Sequence, residues 1–500
     1  RLDFKVAEPV SPTGTITGTP GVEPTTGVTE GVTETRMLRP NGLAAPPAQA
    51  ARTATRTAEA DEDGTAGTLS TPTGRARTAT AEADSLITPT STGTPLPPTA
   101  TPTPPIDLVM PTGDGFVGTY TDAEGNYRFN TAAPGGTLTF KMPGYKLVKM
   151  SADAPQKEVK LEVFKAEAIY ITANYLASPD LLEELITFAQ DSRINALVVN
   201  VQNDASEWVF DTKNKDVIEA GNTDIFLPNM PQLVKNLKAK GFYVIARVVT
   251  FQQKTMAEKR PDLAVISSTS GGPWKGGYQG SQKWLDASNP ATQDHLVDMT
   301  REVLTLGFDE IQYDYVRFPS DPAANETGKM VFSVKGLDGT NKPDELAKFL
   351  KKAYTVIQPS DSFMSIDVFG YAVWPDQDGE PYMGVIGQAI PEIISYTDYI
   401  CPMIYPSHFY PGSLGYDLPN NYPYEVILES LQNGDKRIEG ARAKFRPWLQ
   451  DFTYGPGIDY GPNEVRAQIQ ATYDFGATGW MLWNANAVFT EGALLPEKRR

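Results

Sequence analysis

Between residues 166 and 494, short apolar runs alternate with amphipathic segments. The runs occupy residues 168–175, 195–203, 243–251, 308–316, 362–372, 398–406, 444–452 and 479–489. The segments between them have helical spacing of apolar residues, and several end on a glycine, as in "LPNMPQLVKNLKAKG" and "GPNEVRAQIQATYDFG". Eight β/α pairs predict an α/β fold, the (β/α)8 TIM barrel. The alternative, a doubly wound open sheet, normally carries a glycine-rich loop after its first strand, and "NYLASPD" is not one.

The run "FDEIQYDYVRFP", residues 308–319, places polar side chains where a buried strand is expected. Ile311, Tyr313 and Tyr315 fall on one face, and Gln312 and Asp314 fall on the other. We predict that the first face packs on the helices. The second face would point into the barrel, which ends in a wet pocket at the carboxyl ends of its strands.

Two segments of different composition precede the barrel. Residues 1–105 are rich in Thr, Pro, Ala, Gly and Glu and poor in large apolar side chains, which predicts a disordered Thr/Pro-rich linker. Residues 106–165 contain short alternating strands separated by the turn signals "DAEGN" and "APGG", which predict a small antiparallel β-sandwich. This segment resembles the carboxypeptidase regulatory-like domain, an immunoglobulin-like spacer, at Thr121, Asp122, Gly125, Tyr127, Pro134, Gly135, Pro143, Gly144 and Tyr145.

Composition and charge disfavour several classes of binding partner. A net charge of −17 and a pI near 4.7 disfavour nucleic acid and anionic membrane surfaces, and no apolar run is long enough to span a bilayer. Cys401 is the only cysteine, and His295 and His408 are the only histidines, so we expect neither a disulfide nor a zinc site, and no cofactor. The chain begins at Arg1 without Met. With the Thr/Pro-rich segment, this suggests an extracellular or cell-surface protein whose export signal lies upstream.

Polar residues cluster where the predicted barrel strands end. They are Asn174, Tyr175, Asn203, Asp204, Asp314, Arg317, Asp367, Tyr405, Ser407, His408, Trp448, Gln450, Asp451, Trp483, Asn484 and Asn486. Active sites of TIM barrels form at this rim. Trp208, Trp284, Trp448 and Trp483 also fall at strand ends or in the loops after them, either as platforms for sugar rings or as ordinary core residues. Carboxylates beside aromatic side chains point to glycoside hydrolysis, which uses two carboxyl groups.

The same region contains unusual blocks in a fixed order. Examples are "NALVVNVQND", "GFYVIARVVTF", "WLDASNP", "GFDEIQYDYVRFPSD", "DYICPMIYPSHF", "RPWLQDFTYG" and "GATGWMLWNA". Over residues 166–490 the chain resembles the DUF4015 glycosyl hydrolase domain family, which implies a TIM barrel related to glycosidases. Members often carry an acidic pair after the second strand, where this chain reads Gln202, Asn203 and Asp204 and keeps one acid.

The layout is similar to that of α-amylase-like barrels, which implies catalytic roles for three aspartates. Asp314 would be the nucleophile or base, Asp367 the general acid, and Asp451 a group that orients hydroxyls or stabilises positive charge. An alternative exchanges the roles of Asp367 and Asp451. A chitinase-like assignment fails because Val316 occupies the position of the acid. The structural alternative places Asp314 in a buried ion pair with Arg247 or Arg317.

The predicted substrate-binding residues are Asp204, Asp286, Arg317, Tyr405, His408, Trp448, Trp483 and Asn484. Arg317 would hold Asp314 or contact the substrate. Asp286 has a second interpretation as a capping residue, and His408 has one as a rim hydrogen-bonding residue.

Three functions compete. The first is an exported glycoside hydrolase acting on a polysaccharide. The second is a non-catalytic carbohydrate- or cell-wall-binding protein. The third is a polysaccharide deacetylase, which ranks last because its Asp-His-His metal site needs two neighbouring histidines.

Overall fold

A computed structural model describes residues 3–7, 118–121, 125–128, 136–154, 158–276, 281–320, 330–374 and 383–495. Its strands are β1 Asp3–Ala7, β2 Asn126–Arg128, β3 Thr137–Phe140, β4 Val148–Ser151, β5 Glu158–Lys160, β6 Ala166–Ile171, β7 Ala196–Asn200, β8 Tyr243–Val249, β9 Ile266–Ser267, β10 Glu310–Asp314, β11 Met330–Val331, β12 Phe363–Phe369, β13 Tyr399–Met403, β14 Lys444–Phe445, β15 Trp448–Gln450 and β16 Gly479–Trp483. Its α-helices are α1 Ala173–Leu176, α2 Pro179–Asp191, α3 Lys215–Ala220, α4 Met230–Ala239, α5 Lys254–Lys259, α6 Pro290–Thr305, α7 Lys342–Ile357, α8 Ile390–Ile393, α9 Pro423–Arg437, α10 Pro462–Phe475 and α11 Glu491–Leu494.

The parallel strands from β6 to β16 form a closed ring. Its order is β6, β7, β8, β10, β12, β13, β15 and β16, and β16 pairs again with β6. The predicted TIM barrel is therefore confirmed, and the open-sheet alternative is wrong.

The seventh barrel strand is built in two pieces, β14 and β15, both of which pair with β13. Arg446 and Pro447 lie between the pieces. Proline has no N–H to donate to a neighbouring strand, so the ladder is interrupted at this point.

Helix boundaries follow local signals in the sequence. Asn289 caps α6, because its side chain accepts a hydrogen bond from the backbone N–H of Ala291, and Pro290 occupies the first helical position. The chain leaves α10 through Gly476, whose φ of 85° lies in the left-handed region that glycine adopts without strain.

The two faces of β10 separate as the alternation predicts. The Tyr313 hydroxyl contacts the Thr300 hydroxyl of α6 at 2.5 Å, and its ring packs edge-on against Phe349 of α7. Gln312 points into the barrel, where its amide donates to the sulfur of Met481 across the interior. Tyr315 differs from the prediction. The strand ends before it, and its φ of 51° turns its ring away from the helices and towards Trp284.

The barrel interior carries a buried ion pair near the amino ends of its strands. Glu310 and Arg446 are both fully buried, and one guanidinium nitrogen donates to both carboxylate oxygens at 2.8 and 2.7 Å. The Arg446 guanidinium also lies 3.8 Å from the ring centre of Tyr399. A charge this deep in a barrel is tolerated because it is paired and stacked.

The described part of the segment before the barrel forms small sheets. β3 and β4 form an antiparallel hairpin, and β1 pairs antiparallel with β2 and parallel with β5. β1 lies inside the segment for which the sequence predicts a linker. Residues 8–117 lie outside the described part, so the linker stays a prediction there, as does the carboxypeptidase regulatory-like identity of residues 106–165.

This small domain sits on the amino-terminal end of the barrel, which we call the floor. Gly144 N–H donates to the Tyr399 hydroxyl at 2.9 Å, and the Lys141 ammonium donates to the carbonyl oxygens of Ile357, Gln358 and Ser362. Because α7 ends at Ile357, the lysine supplies positive charge at a helix carboxyl end. The floor is thus closed by the domain that precedes the barrel. In the part of the chain that the structure describes, no helix has the length and apolar character needed to cross a bilayer.

Candidate active site

Asp314 is the last residue of β10, and its carboxylate is paired with Arg247 from the neighbouring strand β8. The Nε of Arg247 donates to Oδ2 of Asp314 at 3.0 Å, and Nη2 donates to the same oxygen. Both residues are buried. Since a guanidinium stays protonated in proteins, a permanent positive charge lies against the carboxyl group of Asp314.

The other oxygen of Asp314 contacts its own backbone. Tyr315 N–H donates to Oδ1 at 2.6 Å, and Tyr315 itself has a left-handed φ of 51°. A non-glycine residue in this conformation costs energy and is found often at functional sites. The strand end is therefore shaped around this carboxylate.

Arg247 is in turn held by two residues of the next strands. Its Nη1 donates to Oδ1 of Asn200 at 2.9 Å, and the Asn200 amide donates to the Tyr170 hydroxyl at 2.5 Å. The four side chains come from β6, β7, β8 and β10, which are consecutive neighbours in the barrel.

Asp367 lies near the carboxyl end of β12, beside β10. Its Oδ1 accepts a hydrogen bond from the indole N–H of Trp448 at 2.8 Å. Burial raises the pKa of Asp367 well above its ordinary value, and the charge of Asp314 raises it further, while the Trp448 bond and Arg247 oppose the rise. Asp367, whose pKa is raised, thus lies beside the carboxyl group that is paired with Arg247.

Aromatic rings surround these groups. The ring of Tyr170 stacks on Trp483 at 4.3 Å, and Trp448 meets Trp483 edge-on at 5.7 Å. The Arg247 guanidinium lies 5.5 Å from the ring centres of both Tyr170 and Trp483. Trp483 is half-buried and retains accessible ring surface, whereas Trp208, Trp284 and Trp448 are fully buried core residues.

Tyr405 lies close to the two carboxyl groups. Burial raises its pKa well above the ordinary value, and the charges of Asp367 and Asp314 add to the rise. His408 lies farther along the same loop, packed against Tyr405, Phe452 and Tyr454, and its Nδ1 contacts the Ser407 hydroxyl at 3.0 Å. Burial lowers the pKa of His408 to about 4, so its ring is neutral at physiological pH.

Asp451, the third predicted catalytic residue, has its carboxylate engaged by Thr490. The Thr490 hydroxyl donates to Oδ1 at 2.5 Å, and the Thr490 N–H donates to Oδ2 at 2.9 Å. The Asn484 side chain donates to the Asp451 carbonyl at 2.6 Å and accepts from Asn486 N–H. We call this arrangement the β15 clasp; it ties the end of β15 to the loop after β16.

Two further predicted residues are engaged in local contacts. Asp286 accepts from Ser288 and from the N–H of Ser333 at 2.6 Å, so its carboxylate joins two loops, whereas the residue that caps α6 is Asn289. Arg317 donates to the Ser320 hydroxyl at 2.8 Å, and its guanidinium lies over the Trp284 and Phe369 rings. The partner of Asp314 is therefore Arg247.

The loop after β7 carries the last predicted residue. Asp204 is exposed, whereas Gln202 is buried and accepts from the backbone N–H of Val249 at 2.8 Å. Asp204 thus lies at the outer edge of the rim.

Arg247, Asn200 and Tyr170 were not among the predicted site residues. Each interrupts a largely apolar strand, in "YVIARVV", "ALVVN" and "AEAIYI". The same signal, a polar side chain inside a buried strand, identified Asp314. Among the described residues, no group of three or more His, Cys, Asp or Glu side chains is placed to hold a metal ion.

Residues 168–489 match the DUF4015 family, described as "Putative glycosyl hydrolase domain". This match covers more than half of the chain, so the chain belongs to that family. No curated protein sequence matches the chain.

Solved structures give distant similarity. A hypothetical protein from Ruminiclostridium thermocellum is 30% identical, with a TM-score of 0.35, over 40% of this chain and 97% of its own. The PgaB glycoside hydrolase domain from Bordetella bronchiseptica is 15% identical, with a TM-score of 0.47, over 65% of this chain and 95% of its own. A chitinase from Pseudoalteromonas aurantia is 13% identical, with a TM-score of 0.37, over 64% of this chain and 95% of its own.

Proposed function

We propose that this protein is a glycoside hydrolase that cleaves an extracellular or cell-wall polysaccharide with Asp314 and Asp367. One observation carries the proposal. The two carboxyl groups lie on adjacent barrel strands in opposite environments, since Arg247 pairs with Asp314 while burial and the Asp314 charge raise the pKa of Asp367. Two neighbouring carboxyl groups, one paired with an arginine and the other with a raised pKa, suit separate base and acid roles.

In this mechanism Asp367 is the general acid. It donates its proton to the glycosidic oxygen as the bond to the sugar carbon breaks, which lets the leaving group depart as an alcohol. Because Trp448 holds Oδ1, the proton resides on Oδ2, the oxygen that faces away from the indole.

Asp314 supplies the negative charge on the other side of the reaction. It acts as the carboxylate, which is paired with Arg247, and either attacks the sugar carbon or accepts a proton from the attacking water. The positive charge that develops on the sugar ring is stabilised by the same anion.

The half-buried Trp483 would contact the sugar ring that reacts, along the part of its side chain that Tyr170 and Arg247 leave uncovered. It lies beside Trp448, whose indole holds Asp367, so a sugar in contact with Trp483 would lie near the carboxylate pair. Tyr405 would contact the same sugar, and Asp204 would contact the polymer at the rim.

The test measures release of reducing ends from a panel of polysaccharides. We expect Asp314→Asn and Asp367→Asn to lose at least about a thousandfold in kcat. Asp398→Asn is the matched control, because Asp398 is equally buried but lies at the floor, where Arg442 and Met364 contact its carboxylate.

Substrates with a good leaving group assign the acid. An aryl glycoside carrying nitrophenol needs little protonation, so Asp367→Asn should retain far more activity on it than on the polysaccharide. Asp314→Asn should lose both activities. A parent protein that binds glycans without releasing reducing ends from any of them would instead be a non-catalytic binding protein.

A further inference from the structure

We propose that Tyr170, Asn200 and Arg247 form a positioning relay that fixes Asp314 with Oδ1 as its reacting oxygen. The inference rests on the proposed hydrolase function and adds which atom reacts and which residues aim it. The relay crosses four neighbouring strands through contacts of 2.5, 2.9 and 3.0 Å.

The two oxygens of Asp314 are treated differently. Both donors of Arg247 that reach Asp314 go to Oδ2, whereas Oδ1 receives the single backbone N–H of Tyr315. A carboxylate oxygen accepts more than one hydrogen bond, so Oδ1 keeps a lone pair for a sugar carbon or a water molecule.

The buried ion pair at the floor shows what a purely structural arginine does. There, one nitrogen of Arg446 donates to both oxygens of Glu310, and the hydroxyl of Tyr243 adds a third bond to Oε2. Arg446 therefore does not distinguish one oxygen of Glu310 from the other. The contrast between the two pairs favours a positioning role at the rim over a merely structural one.

The orientation of Asn200 is fixed by its neighbours. A guanidinium has only donors, so the amide oxygen must face Arg247 and the amide nitrogen must face the Tyr170 hydroxyl. All three side chains are at least nine-tenths buried, which removes competing water. Removing the Tyr170 hydroxyl therefore leaves the Asn200 amide without this acceptor. Arg247 is loosened in turn, because Asn200 holds it.

The test uses Tyr170→Phe, Asn200→Ala and Arg247→Lys, with Arg446→Lys as the matched control. Tyr170→Phe removes one oxygen and keeps the ring stacked on Trp483, so it is the variant least able to disturb folding. We expect about a tenfold loss of kcat in Asn200→Ala, and a smaller loss in Tyr170→Phe, with KM within about twofold.

The control should lower the thermal unfolding temperature and leave kcat and KM in place. The relay is overturned if Asn200→Ala and Tyr170→Phe change only thermal stability.

A second measurement does not depend on activity. In the parent, the Nε–H of Arg247 donates to Asp314, so this proton should exchange slowly with water, as followed in its 15N–1H NMR signal. Loss of that protection in Asn200→Ala supports the relay, and retained protection overturns it. A parent that cleaves no glycan would refute the proposed hydrolase, and this signal would still decide whether the relay positions Asp314.

Discussion

The β15 clasp predicts that Asp451 holds the rim together and does not take part in the reaction. Both of its carboxylate oxygens accept from Thr490, and only 3% of the residue is exposed. Thr490→Val keeps the shape of the side chain and removes the hydroxyl. A hydrogen bond to a charged group contributes about 1.5–3 kcal/mol, so the variant should lose about that much unfolding free energy.

Asp451→Asn should behave differently. Its amide oxygen can accept from the Thr490 N–H, and its amide nitrogen can donate to the Thr490 hydroxyl, so both contacts survive. Burial raises the pKa of Asp451, which means that the charged form pays for desolvation and the neutral amide does not. We expect a loss below about 1 kcal/mol in this variant.

The assay combines urea unfolding with reducing-end release. Both variants should keep kcat/KM within a few-fold of the parent, while Thr490→Val alone loses substantial stability. If Asp451→Asn keeps its stability but loses about a thousandfold in kcat, Asp451 is the catalytic acid and the reasoning is wrong.

Three further predictions concern stability. Burial raises the pKa of Asp367 in the folded protein, so the stability of the parent falls as the pH rises above about 4, the pKa of an aspartate in the unfolded chain. Asp367→Asn should therefore have a higher Tm than the parent, by more at pH 7 than at pH 4, and an equal gain at both pH values would contradict this. Burial raises the pKa of Asp398 to about 6, so Asp398→Asn should remove up to about 3 kcal/mol of stability loss between pH 4 and 6, measured by urea unfolding; an unchanged slope would refute it. Gly144→Ala should cost about 1–2 kcal/mol, because Gly144 has a φ of 86° and an added Cβ would lie 3.0 Å from the Thr478 methyl; unchanged stability would show that the small domain does not press on the barrel.

The barrel could be predicted because buried runs alternate with helical segments along the chain, and several of those segments end on a glycine, as α10 does at Gly476. The residues at which the strands end were harder to predict. The run 362–372 continues in sequence, but β12 stops at Phe369 and the chain turns into a 3-10 helix at Gly370–Val373. Gly370 approaches the carbonyl of Met403 so closely that an added Cβ would lie 2.7 Å from it. Such a turn depends on a neighbour 33 residues away, which local pattern does not reveal.

The sequence indicates which strands carry polar side chains at their ends, but it does not indicate which residues those side chains contact. Asp314 and Asp367 were identified because a carboxylate inside an apolar strand has to be explained. The engagement of Asp451 by Thr490, 39 residues later, depends on how two loops meet above the barrel. The choice of Arg247 over Arg317 depends on strand register, since β8 and β10 are neighbours and set Arg247 within reach of Asp314.

The contacts between Lys141, Gly144 and the barrel floor have a mechanical consequence. Force applied to the chain before residue 136 would enter the barrel at its floor, through the backbone that leads into β6 and through the contacts with Tyr399 and the end of α7, at the end opposite Asp314. A molecule held from that side would therefore present its carboxylate pair outward, towards a polymer approaching from solution, with the strain borne by residues that take no part in bond cleavage.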